Sequence, residues 1–351
     1  MTNHVLQASW SRRQFIKYTA AGGLAIAGGF LWGNRPGFPT RSAQTFIGSA
    51  SGYHDDLVTI LRRGLERLAY SASSFKGKRI LIKPNLVEPH AGHGHINTNP
   101  MLVRAAVELF RRMDAAEVVI AEGPGHRRDS LLVLEASGFA DVIVEDRVPF
   151  FDLNTGPVRR VANKGGYTSM KELCLPRLVL DADVVVSLAK MKTHHWAGVT
   201  LSMKNFFGIM PGCVYGWPKN VLHQAGIQRS ILDINATFQP HLCIVDGIVG
   251  MEGDGPIMGT PVRSNVVVMG RSAPAVDATC ARVMGIDPHK IPYLKAAGRR
   301  IGPIAEASIV QRGEIIESVR KDYQLISGIP AQRHIRWDRS CGAGRQPSAV
   351  G

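Results

Sequence analysis

Cysteine is scarce and scattered in this chain of 351 residues: Cys174, Cys213, Cys243, Cys280 and Cys341 stand at least 30 residues apart. No C-x-x-C pair exists. That removes the spacing used by zinc knuckles and ferredoxin-type iron–sulfur clusters, and the odd count argues against a complete disulfide framework. A G-x-G-x-x-G after a strand, a P-loop lysine and a G-x-S-x-G elbow are also missing, so nucleotide-binding and hydrolase templates find no support. Basic residues beyond position 43 form no Lys/Arg run interleaved with aromatics, so nucleic acid is not an expected partner. There is no internal repeat and no low-complexity block.

What is present is ordinary globular material, 45% hydrophobic and 20% charged with 37 Gly and 20 Pro, long enough for one large or two modest cores. The net charge is +14. The first 43 residues hold five basic residues (Arg12, Arg13, Lys17, Arg35, Arg41) and no acid, so the remainder still carries a net charge of about +9.

The stretch "SRRQFIKYTAAGGLAIAGGFLWG" sets Arg12 and Arg13 before an uncharged Gly/Ala-rich run from Thr19 to Gly33, too short to span a membrane comfortably. Ser11, Arg12, Arg13, Phe15, Ile16 and Lys17 resemble a twin-arginine translocation signal. That resemblance implies export in a folded state through the twin-arginine translocation machinery and a place in the periplasm. A signal retained as an anchor would hold the protein on the outer side of the cytoplasmic membrane. Cleavage after Ala43 and cleavage near Gly48–Ala50 both stay open. The expected organisation is a targeting segment (1–43), an α/β domain (44–325) and a mobile basic tail (326–351).

Beyond residue 44, strand-like runs alternate with helical patterns, which predicts an α/β fold: a mixed, mostly parallel sheet flanked by helices. Strands are expected at 46–49, 79–83, 117–122, 141–145, 182–189, 241–247 and 263–270. Helices are expected at 55–69, 100–113, 131–138, 221–238 and 273–285, with Gly138 and Gly285 closing two of them, and an antiparallel excursion at 149–176.

Open α/β sheets bind ligands beyond the carboxyl ends of their strands. This rule selects Lys83 and Asn85, Glu122 and Gly123, the segment Lys190–His194, and Asp246 with the Gly-rich "GIVGMEGDGP". The stretch "KMKTHHWAGVTLSMKNFFG" (190–208) holds three lysines and no acid, so something anionic is expected to complete it. Lys83, Lys190, Lys192 and Lys204 are candidates to hold a phosphate, carboxylate or sulfonate; internal ion pairs with Asp246, Glu252 or Asp254 are the alternative. His194 and His223 are candidate acid/base groups beside Lys192. Asp246, Glu252 and Asp254 are candidate ligands for a transition metal, the one cofactor considered; His90, His93 and His95 raise the same question.

Taken in order, "IKPNLV" (82–87), "TNP" (98–100), "AKMKTH" (189–194), "MKNFFGIMPG" (203–212), His223, "IVDGIVGMEGDGP" (244–256) and "AVDATCARVMGID" (275–287) resemble the domain of unknown function 362 family over roughly 45–300. The resemblance implies an α/β domain with no settled activity and a link to redox or metal-dependent anaerobic chemistry. It also implies a pocket role for Lys192, His194, Lys204 and Asn205. Many relatives append a cysteine-rich ferredoxin-like segment; here the tail has only Cys341, so an intrinsic ferredoxin-type cluster is not expected. An enzyme using such a pocket and a non-catalytic binding protein for an anion or metal both fit these residues.

Overall fold

The computed structural model describes residues 42–89, 94–125 and 129–338; the twin-arginine motif, His90, His93 and Cys341 lie outside them. The strands are β1 (Ala43–Ser49), β2 (Arg79–Pro84), β3 (Glu117–Glu122), β4 (Phe150–Asp152), β5 (Val158–Ala162), β6 (Glu172–Pro176), β7 (Val184–His194), β8 (Gly198–Thr200), β9 (Leu242–Glu252), β10 (Thr260–Val262), β11 (Val266–Gly270) and β12 (Ile309–Gly313). The main sheet runs β12, β1, β11, β9, β7, β2, β3, β4, with β8 added to β7 and β10 to β9. Pairing is parallel from β9 through β7, β2 and β3 to β4, and antiparallel where β11 meets β1 and β9. The fold is therefore α/β, with a mixed, mostly parallel sheet. Strands β5 and β6 form a separate antiparallel pair within the excursion expected at 149–176.

Alternation along the strands builds a core on each face. Ile80, Ile82, Val186 and Ile244 pack with Leu61 and Leu65 of the helix Leu57–Arg67 and Val103 and Phe110 of the helix Pro100–Arg112. Leu81, Val185 and Val245 pack on the other face with Ile231 and Ile234 of the helix Ile227–Thr237 and Val276 and Cys280 of the helix Ala273–Val283. The helix Pro100–Arg112 starts where the sequence marks it: the Asn99 side chain caps the Met101 N–H, and Pro100 occupies the first turn.

Every residue of β7 is buried, and its pairing with β9 slips near the end. Lys190 stands opposite Asp246, whereas Lys192 stands opposite Met251, so β9 advances five residues while β7 advances two.

Three expectations are corrected. Residues 141–145 are helical, within Phe139–Glu145: Phe139 and Val142 are buried while Val144 is exposed, a helical rather than alternating pattern, and Gly138 at φ 73° leads into it. The helix expected at 221–238 is two helices, Asn220–Gln224 and Ile227–Thr237, separated at Gly226, which has φ 99°. Residues 326–338 are packed rather than loose: Ile335 joins the core, and the Gln332 amide donates to the Gly253 carbonyl at 2.8 Å.

Candidate functional site

Because β2, β3 and β7 are parallel, their carboxyl ends open on one rim, where a cleft of about 430 Å³ lies. Lys83, Asn85, Glu122, Lys192, His194, Lys204, Asn205, Lys219 and His223 all line it.

Lys83 is buried and committed to protein. Its ammonium donates to Glu122 Oε2 at 2.5 Å, to the Pro84 carbonyl at 2.9 Å and to Asn205 Oδ1 at 3.0 Å, using all three N–H bonds. Burial lowers its pKa, and Glu122 opposes the shift. The Glu122 carboxylate is in turn fixed by the Gly123 and Leu86 backbone N–H groups. Asn205 holds the pair from above, its amide donating to the Lys83 carbonyl and to Ser187 Oγ. The backbone crosses so close that a Cβ at Gly208 would meet Glu122 Oε1 at 2.2 Å and Lys83 Nζ at 2.6 Å; only glycine fits there. Lys83, Glu122 and Asn205 thus form a neutralised floor.

The other three amines on the cleft have no carboxylate in contact among the described residues. Lys192 donates only to the carbonyls of Ile96 (2.8 Å) and Pro256 (3.3 Å). Burial, followed by the charges of Lys190 and Lys204, pushes its pKa well down. Lys219 is held at φ 65°, and its ammonium donates to the carbonyls of Gly123 (2.8 Å) and Gly208 (3.3 Å). Burial brings its pKa down to about 7, with Glu122 opposing and Lys83 and Lys204 assisting. Lys204 makes no hydrogen bond or ion pair among the described residues; its Nζ lies 4.3 Å from the Phe207 ring centroid. Burial and then Lys83 bring it to about 8.

The two histidines use Nδ1 in opposite ways, as an acceptor in His194 and as a donor in His223. His194 Nδ1 accepts from the backbone N–H groups of Trp196 (3.0 Å) and Ala197 (3.3 Å), so the ring is neutral with its proton on Nε2, a donor. Burial and then Lys204 hold its pKa well below the usual imidazole range. His223 Nδ1 lies 3.1 Å from the Lys219 carbonyl, which can only accept, so Nδ1 carries a proton. Two buried oxygens on the same cleft, Asn85 Oδ1 and Thr200 Oγ1, have no hydrogen-bond partner among the described residues.

Four residues selected from the sequence are placed elsewhere or at the edge. Lys190 pairs with Asp246 at 2.9 Å inside the sheet, where Tyr53 and the Asn99 N–H also donate to the same carboxylate. Glu252 accepts from the Gln324 N–H, and Asp254 lies at the cleft 3.6 Å from His195 Nδ1. Asp246, Glu252 and Asp254 do not converge, and among the described residues no group of three or more His, Cys, Asp or Glu is arranged to hold a metal ion. His95 Nε2 lies 3.2 Å from the Gly259 carbonyl. The "TNP" motif is a clasp: Thr98 Oγ1 accepts from the Asn85 N–H and donates to the Leu188 carbonyl. Lys219 was missed because "GWPKN" reads as a turn; its only sequence signal is a lysine immediately before a helix start. Trp196 and Thr200 were passed over within a motif already singled out.

The profile of the family described as Domain of unknown function (DUF362) matches residues 80–282. The "Thylakoid-associated protein sll1697" of Synechocystis sp. is 29% identical over 254 residues, covering 70% of this chain and 75% of that protein. The lactate racemase apoprotein from Thermoanaerobacterium thermosaccharolyticum aligns at a TM-score of 0.45 and 17% identity, covering 70% of this chain and 58% of that one. A Thermotoga maritima protein aligns at 0.37 and 14%, covering 64% and 57%. The chain therefore spans less than two thirds of both solved structures.

Proposed function

We propose that this chain, which belongs to the Domain of unknown function (DUF362) family, binds an anionic small molecule in the cleft at the carboxyl ends of β2, β3 and β7. The observation that carries this reading is the charge imbalance: Lys192, Lys204 and Lys219 face one cleft, and among the described residues lining it the one buried carboxylate, Glu122, is already spent on Lys83, while Asp254 is half-exposed beside His195. A buried ammonium without a counter-charge is costly, and an entering anion removes that cost. Asn85 Oδ1 and Thr200 Oγ1 add acceptor positions that a hydroxyl or N–H of the ligand would meet.

Calorimetric titration with inorganic phosphate and with malonate, in low-salt buffer, tests the reading. Lys204→Met should weaken the preferred anion by about thirty-fold, the equivalent of about 2 kcal/mol for a charge-assisted hydrogen bond, at unchanged circular dichroism. Wild-type affinity in the variant would sink the assignment.

A second reading, in which the cleft also moves a proton on its ligand, is favoured by two imidazoles lining one cavity: His194, with a donor at Nε2, and His223. Incubation with a pool of organic acids in deuterated water, followed by mass spectrometry, should show deuterium incorporation that His223→Asn removes; no incorporation by the wild type would discard catalysis of this kind and leave binding. Export through the twin-arginine route, with residence in the periplasm or at the outer side of the cytoplasmic membrane, rests on Arg12 and Arg13 and their flanking motif. No helix among the described residues is long and apolar enough to cross a membrane.

A further inference from the structure

We infer that the anion taken by this cleft carries a flat aromatic body, which narrows the ligand class from any oxyanion to an aromatic phosphate or carboxylate. The inference rests on the anion-site reading and adds a second recognition surface to it.

That surface is a series of rings leading from the lysines to solvent. Phe207 lies beneath Lys204 Nζ at 4.3 Å; the His223 ring stands 5.1 Å from Phe207 and 5.4 Å from Trp196; His195 stands 4.6 Å from Trp196. All of these residues line the same cleft. At its outer end Trp196 is 57% exposed and Met258 78% exposed. A single exposed apolar side chain is unremarkable, but here the indole continues an unbroken row of rings. Its backbone is also pinned, because the Trp196 N–H is one of the two donors to His194 Nδ1. The indole is thereby presented from a fixed turn between β7 and β8.

The cavity has the wrong size for an inorganic ion alone. At about 430 Å³ it falls in the range of pockets that enclose organic ligands, roughly 300–1,000 Å³. An oxyanion contacting Lys204 would leave most of that volume, and the aromatic row, in contact with water. A ring attached to the anion fills the space and joins a cluster whose members meet at steep angles, 84° for His195 with Trp196 and 71° for Trp196 with His223, geometry that favours a further ring over a flexible chain.

The test compares three phosphates by calorimetry on the full-length protein at matched pH and ionic strength: inorganic phosphate, octyl phosphate and 1-naphthyl phosphate. Naphthyl phosphate should bind at least ten-fold tighter than inorganic phosphate and several-fold tighter than octyl phosphate. Trp196→Ala should bring the naphthyl-to-inorganic ratio close to one, and Trp196→Phe should restore part of it. A naphthyl phosphate no tighter than inorganic phosphate, or matched by octyl phosphate, overturns the aromatic inference while the anion site stands. No binding of any phosphate to the wild type removes the anion site for phosphates and the inference with it.

Discussion

Lys83 and Lys204 share a cleft but differ in electrostatic state, and pH separates them. Lys83 has a carboxylate at 2.5 Å; Lys204 and Lys219 have none in contact among the described residues, and their folded-state values fall to about 8 and about 7 from an ordinary 10.5. A lowered lysine pKa means that the unfolded chain binds the proton more tightly than the folded one. The contribution of these two lysines to the stability of the ligand-free protein should therefore rise with pH from about 7 to about 10, the window between their folded and unfolded values, with the raised Asp277 opposing it below about 8. Anion affinity should run the other way, because the bound anion favours protonated lysines. Melting temperatures between pH 6.5 and 9.5, with and without saturating phosphate, check both signs: an upward slope that flattens when ligand is present. A ligand-free slope that persists unchanged in Lys219→Met and Lys204→Met would assign it to other groups. Only part of this was legible in the sequence. Strand ends select Lys83 and Lys192, which line the cleft, but Lys190 and Lys192, two residues apart in one motif, have different surroundings. Their partners, Asp246 for one and the Ile96 carbonyl for the other, lie 56 and 96 residues away. No local pattern distinguishes them.

Among the elements, the short helix Ser202–Asn205 depends most on another segment. Its first two N–H groups, of Ser202 and Met203, donate to the Asp277 carboxylate at 2.8 and 3.0 Å, and Asp277 sits in the middle of the helix Ala273–Val283. Burial pushes that carboxyl up to about 8 despite both bonds. Asp277→Ala should cost about 2–4 kcal/mol, since two buried donors lose their acceptor, and should weaken anion binding because Lys204 and Asn205 ride on this helix. Urea unfolding and phosphate titration of the variant read both effects; full stability would remove Asp277 from this role. Strands β7 and β9 were legible as the apolar runs 182–189 and 241–247, whereas the three-residue β8 was not. The helix Phe139–Glu145 was not, because "DVIVE" is β-branched and its helical pattern needs Phe139, outside the run, to become visible.

For the molecule as a whole, the parallel direction of β9, β7, β2, β3 and β4 explains why residues far apart in sequence share one rim, and this was the most legible level. The rule that ligands sit beyond strand ends needs only the order of strands and helices. The proposed address at the N-terminus belongs to this scale too, since the twin-arginine route would need a folded passenger before export. Arg12→Lys with Arg13→Lys should leave a tagged protein in the cytoplasm, as read by fractionation of the exporting host; normal export of the double variant would exclude the twin-arginine route.

The slip between β7 and β9 makes the two strands behave like the scales of a vernier. Five divisions on β9 are matched to two on β7, and the offset sets Lys190 against a carboxylate and Lys192 on the cleft. The length of the segment between Asp246 and Met251 is thus a dimension of the cleft, although none of its side chains lines it. Such a dimension tolerates exchange of one apolar side chain for another of similar volume far better than the loss or gain of a residue. Removing Val249 would reset the two scales and move the outer part of β9, with the loop that supplies the Pro256 carbonyl to Lys192, by one step.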